Sequence, residues 1–463
     1  MRWRRGAWLC ILAIVGCVAA GGVSHRASSA GAGQREFRFV VLGDNRPGIR
    51  TERLPFVYHL LLKEVMARRP VAVFNTGDII IGGTDDSLTL RRMFEEFRRT
   101  SSILTVPLHV APGNHDYFNR TSRALFQELI GPPYFSVDYG GCHFVVLSSE
   151  CEGEVSRIIG KQLAWLQDDL VRHRGSEHLF VVVHRPFFPV GPHKGDSFDA
   201  YPANRDSVLA LLVAHGAEIL FAGHEHLYHD ATYGRIRQII TGGGGAPLYA
   251  PPDSGGIFHF VLVKVSGKNV QTEVVRVEDP YEKAVRALEG NDARQALQLM
   301  QRVLQDSPDQ AEAHLYLAVA HFRLGDRASG GQELAIFLEQ EQRTVAAYEH
   351  AGKTLTTLGL WPEAFALFRE FANDKPESPL PYLGLGQCFF RFSSPDSAAL
   401  CLERAATLDS LAARVRYWAG EIYEKGGRLP DAIRHYRAAV RLNPSSSYGK
   451  RAAERLREVL EHE

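Results

Sequence analysis

Leu108-His109-Val110-Ala111-Pro112-Gly113-Asn114-His115-Asp116 is the stretch on which the reading of this chain turns. The apolar run 108–110 reads as a strand, and it leads into an amide, an imidazole and a carboxylate introduced by a glycine. Working outward, the same arrangement recurs. Upstream, the run 39–42 leads into Gly43-Asp44-Asn45-Arg46, and the run 71–74 into Gly77-Asp78. Downstream, 179–183 leads into His184, and 219–221 into Gly223-His224-Glu225-His226, with 144–147 a further strand-like run. Stretches with helical spacing (54–67, 161–172 and 205–214) lie between them. This alternation predicts an α/β domain, layered around a central sheet or pair of sheets, over residues 36–277. In such domains ligands gather beyond the carboxyl ends of the strands, which is where these polar residues stand.

Together the strand ends supply two carboxylates (Asp44, Asp78), one amide (Asn114) and three imidazoles (His184, His224, His226). Oxygen and nitrogen donors without thiolate suit Mn, Fe or Zn rather than a structural zinc. Their order resembles the calcineurin-like metallophosphoesterase superfamily, whose order is D-x-H, G-D, G-N-H-[D/E], H and G-H-x-H. The resemblance implies a four-layer αββα sandwich, two packed sheets flanked by helices. It also implies two divalent metal ions. Asp78 would bridge them, Asn114, His184 and His224 would complete one, and Asp44 and His226 would serve the other. His115 would lie beside the phosphate as proton donor to the leaving oxygen or as electrostatic support. The run Thr241-Gly242-Gly243-Gly244-Gly245-Ala246 looks like a glycine-rich loop found near the site in some relatives.

One position departs from that order. The superfamily commonly has His two residues after the first Asp, and here Arg46 stands there. Purple acid phosphatases compensate with a Tyr three residues after the second motif's Asp, where this chain has Ile81. A guanidinium has no lone pair to give a metal. The expectation is that Arg46 faces the site and grips a phosphate oxygen, while the first metal is either completed by water, or bound weakly, or served by a residue outside the motifs. A surface or structural Arg46 is the alternative. Other polar residues read more plainly. His109, His143 and His259 lie in or beside strand-like runs and read as packing residues. His193 and His229 lie in loops near the motifs, within range of a substrate. Asp116 reads as orienting His115 or its loop.

After Asp279-Pro280 the grammar changes to helices with a 34-residue period. Small residues fill one slot (Ala284, Ala318, Gly352, Gly386, Gly420) and a second (Ala296, Gly330, Ala364, Ala398, Ala432), and a third holds Pro308, Gln342, Pro376, Ser410 and Pro444. Glycine inside a helix costs about 1 kcal/mol against alanine, so its recurrence at one slot predicts two helices in close approach. The period resembles the tetratricopeptide repeat. Five repeats fit residues 280–444, with 445–463 as a capping helix. The resemblance implies an all-α solenoid whose concave face holds a protein or peptide.

Length and composition fit this division. A chain of 463 residues exceeds one small core. With zero formal net charge and no basic stripe after residue 5, nucleic acid is not expected as a bound partner. Arg2, Arg4 and Arg5 precede an apolar run over 7–20 and a small-residue stretch to Gly33, so 1–33 reads as an export signal plus linker. Ile14-Val15-Gly16-Cys17 also resembles a bacterial lipobox, which would acylate Cys17; plain secretion and an uncleaved anchor are the other readings. Export to the bacterial periplasm or cell envelope is therefore expected, with membrane contact only through such an anchor. Cys142, Cys151, Cys388 and Cys401 read as free thiols. The function these features predict is an exported, metal-dependent phosphoesterase that hydrolyses phosphomonoesters or phosphodiesters with a metal-activated water. Its repeats would serve protein interaction. The alternative is a catalytically weak or inactive scaffold whose repeats recruit an envelope partner, a reading that Arg46 permits.

Overall fold

The computed structural model describes residues 36–48, 53–409 and 413–461. The signal-like segment 1–33, with Cys17, lies outside them. Two sheets form the N-terminal domain. The first takes β1 (Phe37–Leu42), β2 (Ala72–Asn75) and β3 (Leu108–Val110), joined by β10 (His259–Ser266) and β11 (Asn269–Arg276), in the order β11-β10-β1-β2-β3. The second takes β4 (Phe135–Tyr139), β5 (Cys142–Val146), β6 (His178–Val182), β7 (Ala217–Ala222), β8 (Tyr228–Tyr233) and β9 (Ile236–Thr241), in the order β4-β5-β6-β7-β9-β8. The strands that carry the motifs run parallel within each sheet: β1 with β2, β2 with β3, and β6 with β7.

Residue alternation explains the layering, because successive side chains of a strand point to opposite faces. In β1, Phe39 and Val41 face the other sheet, whereas Val40 and Leu42 face helices. In β6, Phe180 and Val182 face the other sheet and Leu179 and Val181 face helices. Between the sheets lies an aromatic core of Phe39, Phe74, Phe144, Phe180 and Phe221, with Phe39 and Phe144 edge to face at 4.8 Å. Burying each such ring contributes about 1.5–3 kcal/mol. Helices α1 (Phe56–Ala67), α2 (Ser87–Ser101) and α3 (Arg120–Leu129) cover the outer face of the first sheet, and α4 (Gly160–Arg172) and α5 (Pro202–Ala214) that of the second. The four layers αββα follow. Local signals start the helices: Asp86 caps α2 by accepting from the Thr89 N–H, and Asn119 and Ser122 form a capping box on α3.

The C-terminal half consists of helix pairs: α6 (Pro280–Glu289) with α7 (Ala293–Asp306), α8 (Ala311–Arg323) with α9 (Arg327–Gln340), α10 (Val345–Thr357) with α11 (Trp361–Asp374), α12 (Leu380–Arg391) with α13 (Pro395–Leu408), and α14 (Ala413–Lys425) with α15 (Leu429–Leu442). A final helix, α16 (Ser447–Glu461), packs on α15 and α14. The small slot has a packing cause. A Cβ on Gly352 would stand 2.4 Å from the Phe368 ring, one on Gly386 2.7 Å from Leu402, and one on Gly420 2.6 Å from the Tyr436 ring. In each pair the first helix gives up its side chain so that a large residue of the second, at a constant offset, can enter.

The two halves touch through α1. Phe56 is buried within the solenoid's apolar core and meets Tyr281 edge to face at 5.8 Å. Arg53 pairs with Glu341 at 2.9 Å and Lys63 with Asp306 at 3.5 Å. All four cysteines of the described residues are free thiols.

Candidate metal centre

Loops at the carboxyl ends of β1, β2, β3, β6 and β7 meet at one place. Asp44, Asp78 and His224 each turn there through left-handed backbone, with φ of 59°, 56° and 69°. That conformation costs about 1–2 kcal/mol for a residue with a Cβ, so surrounding contacts must hold it. The Asp44 N–H donates to the Gly77 carbonyl at 2.8 Å and the Arg46 N–H to the Asp78 carbonyl at 3.0 Å. The His224 N–H lies 3.0 Å from both Asp44 carboxylate oxygens. Gly113 and Gly223 are required for the approach: a Cβ on the first would stand 2.2 Å from Asp78 Oδ1, and one on the second 2.3 Å from Asp44 Oδ2. Asp116 sits beneath, its carboxylate accepting N–H bonds from Asp78, Ile79, Ile80 and Gly113 at 2.8–3.1 Å. It therefore orders the loop that presents Asp78 and His115.

The six candidate ligands converge. His184 Nε2 lies 3.4 Å from Asp78 Oδ1, 2.9 Å from Asn114 Oδ1 and 3.1 Å from His224 Nδ1. His226 Nε2 lies 3.6 Å from Asp44 Oδ1. Each imidazole has its other nitrogen fixed. His184 Nδ1–H donates to the Thr76 carbonyl at 2.9 Å, His226 Nδ1–H to the Pro247 carbonyl at 2.7 Å, and His224 Nε2–H to Asp196 Oδ1 at 3.2 Å. This sets the tautomers so that every ring presents one lone pair inward. His115 is tied by Nδ1–H to the Ile81 carbonyl at 2.7 Å, which leaves Nε2 3.9 Å from Asp78 Oδ2 on the open side. Arg46 also enters the centre, its Nε 3.4 Å from Asp78 Oδ2.

Electrostatics match the geometry. Burial pushes the Asp44 carboxyl well above its usual range, and the Asp78 charge adds to this. For Asp78 burial again opposes ionisation, but His184, His115 and Arg46 outweigh it and hold its carboxyl low. Burial lowers all three inward imidazoles, His226 to about 4 and His224 to about 3, so they are neutral at pH 7 as metal ligands must be. Two buried carboxylates, an amide oxygen and three neutral imidazoles aimed into one space are the donor set a divalent cation requires. The residues fit one.

Several participants were not legible as motifs. Asp196 holds His224, and Arg185 supports Asp196 through its backbone carbonyl at 2.6 Å while pairing with buried Glu150 at 2.6 Å. His193 packs on His224, centroids 3.8 Å apart, and Tyr249 stacks on His226 at 4.0 Å. The glycine-rich loop packs against the Asp44 turn, the Gly244 N–H donating to the Gly43 carbonyl and that of Ala246 to the Asp44 carbonyl, both at 2.8 Å. His229 sits on β8 opposite Ile240 and joins none of these contacts. His109 and His259 pack in the core region, bonded to the Tyr139 hydroxyl and the Ile257 carbonyl. His143, expected to be a packing residue, is instead an ionic one. It is buried, with Nδ1 2.6 Å from Asp138 and Nε2 2.9 Å from Asp169.

The family model for calcineurin-like phosphoesterases matches residues 37–228. Residues 37–228 form a calcineurin-like phosphoesterase domain. Tetratricopeptide-repeat models match 287–351 and 383–447, so the phosphoesterase domain is followed by a repeat solenoid. The chain is 29% identical over 153 residues to the serine/threonine-protein phosphatase CPPED1 of Bos taurus, covering 31% of this chain and 49% of that protein. It is 29% identical over 138 residues to purple acid phosphatase 23 of Arabidopsis thaliana, covering 27% and 29%. The chain thus spans about half the length of the first relative and less of the second. Among solved structures, a dimetal phosphatase from Danio rerio is similar at 18% identity over 52% of this chain and 99% of that one, with a TM-score of 0.37.

Proposed function

We propose that this chain is an exported phosphoesterase that uses a divalent metal to hydrolyse phosphate esters, phosphomonoesters ahead of phosphodiesters, and that its repeats hold a protein partner. The observation that carries the reading is the convergence of Asp44, Asp78, Asn114, His184, His224 and His226, with every imidazole lone pair aimed inward. Asp78, Asn114, His184 and His224 would hold the ion most completely. When bound, a divalent cation of the Mn, Fe or Zn class supplies positive charge to the phosphate and acidifies a water for in-line attack. His115, with Nδ1–H fixed on the Ile81 carbonyl and Nε2 on the open side, hands the Nε2 proton of its imidazolium form to the leaving oxygen and is left as the neutral imidazole, a contribution of about 10²–10⁴-fold. Arg46 directs a permanent positive charge to the same face and steadies a phosphate oxygen. His193 and Tyr249, packed over His224 and His226, wall the place where the ester group would lie.

Partner binding is supported by a cavity of about 710 Å³ between α10, α12 and α14, lined by Trp361, Phe390, Trp418, Lys353, Arg391 and Lys425. Export is supported by the charged, apolar and small-residue order of 1–33. Among the described residues no helix is long and apolar enough to cross a membrane.

Release of nitrophenol from the monoester and the matching diester tests the catalytic reading, with Asp78→Asn alongside. Turnover that requires both Mn²⁺ and Asp78 supports the enzyme, and the monoester-to-diester ratio ranks the substrates. No turnover with Mn²⁺, Fe²⁺ or Zn²⁺ would favour the scaffold. Trp418→Asp should abolish partner recovery and leave phosphate release unchanged. Fusion of 1–35 to a reporter that folds only after export tests localisation.

A further inference from the structure

We infer that the Arg46 guanidinium takes the place of one cation of the two-metal pattern, so that the centre binds a single divalent ion through Asp78, Asn114, His184 and His224. This rests on the metal-centre reading above and specifies its stoichiometry. The carboxylate of Asp78 is divided between two neighbours. Its Oδ1 faces His184 at 3.4 Å and accepts the His115 N–H at 3.0 Å. Its Oδ2, the oxygen left for a second cation, faces Arg46 Nε at 3.4 Å.

Arg46 is well placed to remain there. Its backbone N–H is bonded to the Asp78 carbonyl at 3.0 Å, its side chain is only 12% exposed, and that side chain also bonds the neighbouring Pro47 carbonyl at 3.3 Å and the Tyr249 hydroxyl. Among the described residues its buried Nε has no hydrogen-bond acceptor, and the ion pair with Asp78 is what that group engages. A guanidinium keeps its charge at every pH the protein meets and offers no lone pair, so it can neutralise these carboxylates but cannot ligate beside them.

The residual first-metal set is poor without it. Asp44 already receives the His224 N–H on both oxygens. Among the described residues, the metal-capable side chains at the centre that lie within 4.8 Å of one another fall in two groups, Asp44 with Asp78 and His184, and His193 with Asp196 and His224; His226 belongs to neither and meets the centre through Asp44 at 3.6 Å. Charge leads to the same conclusion. Two divalent ions plus a guanidinium would face only two carboxylates directly, Asp44 and Asp78, whereas one ion plus the guanidinium comes close to balance.

The test is Mn²⁺ stoichiometry on the purified full chain by equilibrium dialysis and elemental analysis, with electron paramagnetic resonance of the loaded protein. The expected result is one tightly bound ion per chain with the hyperfine signature of an isolated Mn²⁺. Arg46→His should raise the stoichiometry to two and convert the signal to that of an exchange-coupled pair. Two ions in the unaltered chain would overturn the inference and leave the metal-centre reading intact. One ion in both proteins would remove the role given to Arg46. No bound Mn²⁺ in the unaltered chain would sink the metal-centre reading itself, and the inference with it. Should Arg46→His fail to fold, the stoichiometry and resonance signal of the unaltered chain still decide.

Discussion

Asp196 Oδ1 lies 3.2 Å from His224 Nε2, on the ring edge opposite Nδ1, which faces His184 at 3.1 Å. The carboxylate thereby fixes the tautomer and ring plane of a metal-ligating imidazole from outside the ligand set. Asp196→Ala should weaken Mn²⁺ binding about 10–100-fold. The side chain is about half exposed, so its loss should leave thermal stability nearly unchanged. Calorimetric titration of Mn²⁺ gives the answer, and an unchanged dissociation constant would remove the role assigned to Asp196.

His115 presents Nε2 to the open side of the centre while Ile81 holds its other nitrogen. His115→Ala should lower kcat by about 10²–10⁴-fold on an alkyl phosphate, whose leaving oxygen needs a proton. The loss should be far smaller on nitrophenyl phosphate, because nitrophenolate departs unaided. Equal losses on both substrates would instead indicate a binding role.

Behind the second sheet, His143 bridges Asp138 and Asp169, while His173 stacks on its ring and Ser136 bonds Asp169. Burial alone would lower the His143 pKa, but the hydrogen bonds to the two carboxylates outweigh it and raise the value. For Asp169, burial is outweighed by the His143 and Ser136 hydrogen bonds, and its pKa falls. A raised histidine stabilises fully below its unfolded value of about 6.5 and loses that contribution as pH climbs through its folded one. A lowered aspartate stabilises above its unfolded value of about 3.9 and loses that contribution as pH falls through its folded one. The triad is therefore strongest between about pH 4 and 6.5. The melting-temperature gap between the unaltered chain and His143→Gln should be wide at pH 5.5 and narrow at pH 9. A gap independent of pH would contradict this.

Two glycine-to-alanine changes in the solenoid should have opposite signs. Each gains about 1 kcal/mol of helix propensity. At Gly420 the added methyl would meet the Tyr436 ring at 2.6 Å, and such overpacking costs about 1–3 kcal/mol. At Gly331, on the exposed side of α9, nothing lies within 4 Å. Urea denaturation should place Gly331→Ala above and Gly420→Ala below the unaltered chain.

Docking of the two halves should depend on Phe56 rather than on the ion pairs beside it. Exposed pairs such as Lys63–Asp306 contribute about 0–1 kcal/mol, whereas truncating a buried phenylalanine costs about 3–5 kcal/mol. Phe56→Ala should speed proteolytic cleavage near residues 277–280, and Lys63→Ala should not.

Much of this protein is local in sequence, and that part is legible without a structure. A strand's alternation of faces and a helix's recurring small slot are short-range patterns, so the layered domain, the motif order Asp44, Asp78, Asn114, His184, His224, His226 and the solenoid with its 34-residue period could be read directly. Ligand type is equally local, because it depends only on which side chain follows which strand.

What the tertiary structure decided are relations between residues far apart in the chain. Arg46 could be read as an anomaly, but whether it faced solvent, phosphate or Asp78 depended on how β1 and β2 lie side by side. Tyr249 and Asp196 carry no motif, and their positions over His226 and beside His224 follow from loops that meet only when the second sheet is assembled. The entry of Phe56 into the solenoid core likewise joins two folds whose sequences give no sign of each other. Periodicity records which face of an element is buried; which partner covers that face is set by packing over long sequence separations, and no single segment encodes it.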